Sequence, residues 1–312
     1  MLLRVDFKPL SPFKSFPESY TIFGAICWGI RILFGEDMLN DLLEEFKENP
    51  PFLISSPILK LKDAVYFPKP VLCSGDIEIQ TYKDYEMFKK VKETKYITQE
   101  AFKEILDGKI KTREELARYV EANGNKMFTE LNIPHASINR ITWTTAGGEL
   151  YNEPVYYFGV SFSIFILVFN KERLNLIESA LKITSIGGNK STGMGYADVS
   201  FEEENGWIKE YIVSRTERFV SLSPHFYDEA FDIDKSYYEP YPFVGAVENF
   251  YGRITPSIWK RRFLYMGKGS NISISKFKDF YGLMKVAYED RNTGACIYQY
   301  GYAFPLYVRE ER

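Results

Sequence analysis

The stretch Ile186-Gly187-Gly188-Asn189-Lys190-Ser191-Thr192-Gly193-Met194-Gly195-Tyr196 has the composition of an anion-binding loop. Glycine lacks a Cβ, so such a loop reaches positive φ and lets its backbone approach a ligand closely. Successive N–H groups then form a concave anion site, and Lys190 adds a point charge. The chemistry on offer is phosphate binding, but not that of a nucleotide loop. A Walker loop requires lysine directly after its second glycine, and Met194 stands there after Gly193. A dinucleotide turn leads from strand to helix. Here a helical pattern over Lys171 to Thr184, with Leu174, Ile177 and Leu181 on one face, comes first. The alternating segment Ala197-Asp198-Val199-Ser200-Phe201 comes after. The competing reading of the loop is structural, a glycine helix stop followed by a turn.

Two other segments carry groups that suit a polyanion. Pro134-His135-Ala136-Ser137-Ile138-Asn139-Arg140 offers a base, an amide and a guanidinium within seven residues. Residues 249–278 hold Arg253, Lys260, Arg261, Arg262, Lys268, Lys276 and Lys278 with no acid, while residues 200–248 hold eleven acids against four bases. A chain of net charge −3 can therefore present one basic face. Glycine-loop amides and basic side chains on phosphates, with aromatic or guanidinium planes on splayed bases, are the chemistry of single-stranded RNA binding. Tyr196, Tyr251, Trp259 and Tyr265 interleave with the basic groups. The ordinary reading of each is a buried core ring. The acidic stretch 227–239 is expected to turn away from RNA, since like charges oppose binding.

A rival chemistry is RNA cleavage with His135 as general base. It needs a base, an acid and a phosphate clamp in one place. The other histidine, His225, lies between Pro224 and Phe226 and reads as structural. His135 therefore lacks an acid partner, and the chain is expected to be non-catalytic, with no cofactor. No Cys/His cluster has zinc spacing and no serine-hydrolase constellation is present. A third class, an adaptor contacting only protein, is distinguished by the absence of salt-dependent RNA binding.

The elements that position these groups follow from periodicity. Leu2 to Leu10 alternates as a strand, and Glu18 to Gly35 is helical with Phe23, Cys27, Ile30 and Phe34 on one face. A second helix runs from Glu36 to Lys47, and Phe52 to Ser56 is a short strand. Residues 76–126 form a charged, mostly helical insertion with helices over Thr98 to Leu106 and from Thr112, whose Thr-Arg-Glu-Glu is a capping box, to Asn123-Gly124. Gly147-Gly148 between β-branched runs predicts the turn of a long hairpin, and Val155 to Phe169 a central strand. The helix, the glycine loop and a closing strand complete a β–α–β, insertion, β–α–β order, which is that of a ferredoxin-like domain. Beyond Glu203-Glu204-Asn205-Gly206, strands are expected at Tyr211 to Ser221, Arg253 to Pro256, Lys260 to Met266 and Ala295 to Val308, with an acidic loop at Tyr227 to Pro242. The fold class is α+β: a ferredoxin-like domain over 1–205, with the hairpin at 127–159, and a second β-rich domain over 206–312.

The 312 residues, 45% hydrophobic and 26% charged, suffice for two domains with substantial cores. The longest apolar run, Ile164 to Phe169, is too short to cross a bilayer. The N-terminal residues lack a signal-peptide apolar region, and Cys27, Cys73 and Cys296 are distant and odd in number, so reduced thiols and a cytoplasmic location are expected.

Pro134-His135 with Ser137-Ile138-Asn139-Arg140, Gly147 to Tyr151, the Gly187 to Gly195 loop and the closing Tyr300-Gly301-Tyr302-Ala303-Phe304-Pro305 together resemble one family. So do Phe23-Gly24-Ala25 with Cys27-Trp28 and Tyr66-Phe67-Pro68-Lys69-Pro70. It is the RAMP superfamily, and within it the fourth subunit of the type III-A CRISPR effector, the Csm complex. The resemblance spans nearly the whole chain except 76–126. It implies tandem RRM-like domains, a β-hairpin thumb beside the guide–target duplex, and binding of the 5′ handle of CRISPR RNA. It implies protein partners, the large polymerase/cyclase-like subunit and the repeating backbone RAMP subunit, and target RNA near the thumb. It implies no catalytic site here, although some other RAMP proteins are metal-independent endoribonucleases that process CRISPR RNA with histidine as general base and lysine stabilising charge, the rival reading for His135. The residues expected to meet RNA are His135, Ser137, Asn139, Arg140, Gly187, Gly188, Lys190, Ser191, Gly193, Gly195, Arg253, Lys260, Arg261, Arg262 and Lys268.

Overall fold

Strand β1 (Leu2–Pro9) alternates toward the core through Leu3, Val5 and Phe7 and leads through the turn 10–18 into helix α1 (Ser19–Phe34). The structure is a computed structural model and describes residues 1–73, 81–120, 128–246, 259–289 and 296–309. Ile22, Ile26 and Ile30 form the buried stripe of α1, while Phe34, assigned to that face from the sequence, is exposed at the helix end. Gly35, at φ 90°, stops α1 and starts α2 (Glu36–Glu48). Strands β2 (Phe52–Ile54), β3 (Ile58–Leu61) and β4 (Ala64–Pro68) follow. The insertion holds α3 (Tyr82–Glu93), β5 (Tyr96–Thr98), α4 (Gln99–Leu106) and α5 (Arg113–Ala117). Thr112 and Glu115 form the expected capping box, but α5 ends at Ala117, and Asn123-Gly124 lies outside the described residues.

The long hairpin is β6 (Phe128–Ile138) and β7 (Thr145–Phe158), followed by β8 (Ser161–Val168), α6 (Leu174–Ile183) and β9 (Ala197–Glu203). Two expectations are corrected here. Val155 to Phe169 is not one strand: it breaks between β7 and β8, where Gly159 offers no side chain to pack. Nor does the hairpin turn at Gly147-Gly148. The turn lies at 139–144, where the Asn139 side chain accepts the Ile141 N–H at 2.9 Å, and the two glycines sit in β7 at the slip in register between Ala136 and Ile138.

In the seven-stranded sheet of the described residues the order is β5-β4-β3-β8-β1-β9, with β2 also on β8, and every pairing is antiparallel. Helices α1 and α6 pack against one another. The second half starts with α7 (Trp207–Val213) and β10 (Arg218–Ser221), so the strand expected over Tyr211 to Ser221 is a helix and a shorter strand. Ile208 and Tyr211, three apart, are the buried face of that helix, and the Tyr211 hydroxyl donates to Asp107 at 2.6 Å.

Strands β11 (Phe231–Tyr237) and β12 (Pro240–Phe243) replace the expected acidic loop, followed by β13 (Phe263–Met266), β14 (Asn271–Ile274), β15 (Lys285–Glu289), β16 (Cys296–Gln299) and β17 (Pro305–Tyr307). The segment Arg253 to Pro256 lies outside the described residues. A four-stranded sheet of order β11-β14-β10-β17 carries this half. The single strand expected over Ala295 to Val308 divides into β16 and β17 around Tyr300-Gly301-Tyr302. These residues join the halves. Ile54 N–H donates to the Tyr300 hydroxyl at 2.9 Å, and the Tyr302 hydroxyl donates to Phe46 O at 2.6 Å. One apolar cluster therefore runs from Phe46 and Phe52 through Tyr300 to Leu222, Phe226 and Phe304. Among the described residues, no helix is long and apolar enough to cross a membrane.

Candidate nucleic-acid interface

The turn after β1 supports both the glycine loop and the hairpin. Leu10 N–H donates to Tyr196 O at 2.8 Å, Gly195 N–H to Pro12 O at 2.8 Å, and Tyr196 N–H to the Ser11 hydroxyl at 2.9 Å. On the other side, Phe13 and Tyr156 exchange two backbone hydrogen bonds at 2.9 and 2.7 Å, which fastens the base of β7. Rings of Phe13, Phe16, Phe128 and Phe158 fill the space between.

The loop divides into an anchored part and an exposed part. Gly195 has φ 78°, and a Cβ there would stand 2.0 Å from Ile186 O, so only glycine fits. Beside it Met194 is buried, and Ile186 N–H donates to Gly195 O at 2.9 Å. That part is the structural turn of the competing reading. Gly188, Ser191, Thr192 and Gly193 are exposed, with Gly187 half-buried. Gly193 has φ 85°, and a Cβ there would meet nothing within 4 Å. Asn189, left-handed at φ 58°, holds the exposed turn: its carbonyl accepts Thr192 N–H at 3.1 Å and the Thr192 hydroxyl at 2.8 Å. The Lys190 ammonium sits 5.9 Å from the centre of the Trp28 ring.

Turn, loop and hairpin meet at Glu153, a residue the sequence reading did not single out. Lys14 Nζ donates to Glu153 Oε1 at 2.6 Å, and Asn189 Nδ2 donates to Oε2 at 2.9 Å. His135 Nε2 is 3.2 Å from Oε2, an ion-pair distance without the alignment of a hydrogen bond. His135 faces Tyr151 across the hairpin, with stacked rings 5.3 Å apart, and Glu153 is its diagonal neighbour on the same face. The Lys14 contact, chiefly, and the Asn189 amide hold the Glu153 carboxyl below its usual range against the opposing effect of burial.

The other predicted residues are placed apart. Ser137, Asn139 and Arg140 are exposed near the outer end of the hairpin. Arg140 follows His135 by five residues, on the order of 15 Å along a strand. Ile141 and Trp143 flank it, 91% and 84% exposed. Of the basic run, Arg261 and Arg262 are exposed, and Arg253 lies outside the described residues. Lys260 is half-buried, donates to Gln299 Oε1 at 3.2 Å, and has its pKa lowered by burial. Lys268 is half-buried with its ammonium turned inward: it donates to Glu18 at 2.7 Å and to the Tyr96 hydroxyl at 3.0 Å, over the Phe16 ring at 3.9 Å. Burial opposes its charge, but Glu18 and Tyr96 more than offset this, so its pKa ends above the ordinary value. Lys268 thus supports the turn from beneath. Of the interleaved aromatics, Tyr265 is core, Tyr196 and Trp259 are exposed, and Tyr251 lies outside the described residues. His225 is buried, as expected, with Nδ1 3.1 Å from Ser223 O. Among the described residues, no group of three His, Cys, Asp or Glu side chains is placed to hold a metal ion.

No family model matches the sequence. A relative from Thermococcus onnurineus (strain NA1), CRISPR system Cms protein Csm4, is 23% identical over 211 residues, 64% of this chain and 68% of that protein. A chain in the crystal structure of the Csm3-Csm4 subcomplex of the type III-A CRISPR-Cas interference complex superposes with a TM-score of 0.62 at 19% identity, over 97% of this chain and 98% of that one. A chain of the Csm1-Csm4 cassette in complex with cA4 gives 0.61 at 17% identity, over 100% and 99%. The chain has the Csm4 fold. The resemblance to the RAMP superfamily and to this Csm subunit is thereby shown.

Proposed function

We propose that this chain is the Csm4-type subunit of a type III-A CRISPR complex, a non-catalytic RNA-binding subunit that holds the 5′ handle of CRISPR RNA. Its protein neighbours in this reading are a large Csm1-type subunit and the repeating Csm3-type subunit, the partners that name the similar crystal structures. The hairpin would lie beside target RNA. The sheet order β9-β1-β8-β3, with helices connecting β1 to β2 and β8 to β9, supports reading 1–205 as ferredoxin-like and 206–312 as the second domain.

The observation that carries the RNA reading is the exposed turn Gly188 to Gly193. It has left-handed corners at Asn189 and Gly193, open space over Gly193, and Lys190 within it. A backbone that bare admits a phosphate at contact distance. Cleavage is not supported at His135, whose Nε2 is buried and turned to a carboxylate within the protein. The test is photocrosslinking of 5′-handle RNA in the reconstituted complex. Crosslinks on residues 188–193 are expected, and crosslinks confined to other subunits would refute the handle assignment. Incubation with repeat RNA without metal is expected to leave it intact. Cleavage abolished by His135→Ala would establish the rival reading.

A further inference from the structure

We infer that Glu153 is a positioning residue that couples the hairpin to the glycine loop, so that the exposed turn and the hairpin hold one fixed relation. The inference rests on the RNA-binding reading above for its functional consequence, and on geometry alone for the coupling itself.

A two-stranded ribbon is marginal by itself and takes its direction from what it is fastened to. At that base the Phe13–Tyr156 backbone pair is one fastening, and the surrounding phenylalanine rings are non-directional contacts. One directional fastening leaves the ribbon free to tilt. Glu153 lies three residues before Tyr156 in β7, toward the hairpin turn, about 10 Å away at strand rise. Its two oxygens reach different bodies: Oε1 takes Lys14 on the turn and Oε2 takes Asn189 in the loop. A second fastening at that distance removes the tilt. Asn189 is also the residue from whose carbonyl the exposed turn hangs. The hairpin therefore cannot swing without pulling on the corner that shapes the phosphate-facing backbone.

The sign of the charge makes the role testable. A carboxylate near an RNA path works against binding, and its removal alone should raise affinity. A positioning residue predicts the reverse.

The experiment uses the full chain with Glu153→Ala, Glu153→Gln, Asn189→Ala and the Glu153→Ala/Asn189→Ala double variant. Amide hydrogen exchange is read over 187–194 and 128–136, and affinity for a 5′-handle RNA oligonucleotide is read at several salt concentrations. In Glu153→Ala, exchange should accelerate in both segments by about tenfold, and RNA affinity should fall by about tenfold with the salt slope unchanged. Glu153→Gln, which retains an acceptor for Asn189, should be intermediate. Asn189→Ala, which leaves the Lys14 contact in place, should lose less than Glu153→Ala, and the double variant should lose little more than Glu153→Ala alone, because the Asn189 contact is already gone in it. Unchanged exchange in the loop, or a rise in RNA affinity, in Glu153→Ala overturns the proposal. If the parent chain binds no handle RNA, the functional reading fails, and the exchange data still decide whether the coupling exists.

Discussion

The Asn189 side-chain amide donates to the Glu153 carboxylate at 2.9 Å, joining residues 36 apart in the chain and in two different elements. The same carboxylate receives Lys14 from 139 residues away. Three segments that local patterning treats as a turn, a glycine loop and a solvated strand are thus one junction. The following expectations concern its parts and the fold that carries it.

The glycines of the loop should separate by role. Gly195→Ala puts a methyl group 2.0 Å from a backbone oxygen at positive φ. It should destabilise by about 3 kcal/mol or more in urea unfolding, since backbone cannot move aside cheaply. Gly193→Val meets open space and carries only the left-handed penalty, about 1–2 kcal/mol. In folded protein it should weaken RNA binding by blocking approach while leaving the salt slope unchanged. Equal stability losses at the two positions would contradict this division.

The basic run should divide as well. Arg261→Ala and Arg262→Ala should each lower the salt slope of RNA binding by about one unit, as lost phosphate contacts do. Lys268→Met should leave the slope unchanged and instead cost about 3–5 kcal/mol of stability, because it strands the Glu18 carboxylate in the interior. A salt-slope change in Lys268→Met without loss of stability would place that lysine on the RNA after all.

Within the acidic stretch 227–239, Asp228 has a structural role of its own. It is buried, pairs with Lys278 at 2.9 Å, and accepts the N–H groups of Ala230 and Gly282 at 2.9 and 3.0 Å. Glu229 and Asp234 are exposed. Asp228→Asn is expected to lower stability by about 2–4 kcal/mol. Glu229→Gln with Asp234→Asn should change stability by less than about 0.5 kcal/mol and leave RNA affinity intact or slightly raised. Thermal unfolding of the two variants side by side checks the contrast.

His225 should make the fold acid-sensitive. Burial lowers its pKa from 6.5 to about 4. The unfolded chain therefore binds this proton more readily than the folded one, and the contribution is complete above the unfolded value and lost as pH falls toward 4. The loss between pH 7.5 and pH 5 is about 2 kcal/mol. Urea unfolding of wild type and His225→Gln over this range should show a shallower pH dependence in the variant. Parallel profiles would rule out His225 as the source.

Much of the first half was legible because its signals are local. The alternation of β1, the Gly35 stop between α1 and α2, the Thr112 capping box and the helix–loop–strand order around Gly187 to Gly195 all stand as read. The misreadings have physical causes. Gly147-Gly148 is a strong turn signal, but Asn139 closes the turn earlier by taking the Ile141 N–H on its side chain. Tyr211 to Ser221 is β-branched and aromatic enough for a strand, and tertiary burial of Ile208 and Tyr211 made its first part a helix. Glu153 left no local trace at all. An acid in an exposed ribbon looks solvated, and only the fold brings Lys14 and Asn189 to it.

The tyrosines at 300 and 302 also bear on how the chain is made. Ile54 N–H and Phe46 O are each served by a hydroxyl translated about 250 residues later, at separations of 246 and 256. A ribosome that has delivered the whole seven-stranded sheet has still not delivered the groups that finish the core beneath α2. The nascent first half must wait with that surface open, and loop closure over such spans is slow. Chaperone occupancy during translation should be highest in that interval and should end when Tyr302 leaves the exit tunnel.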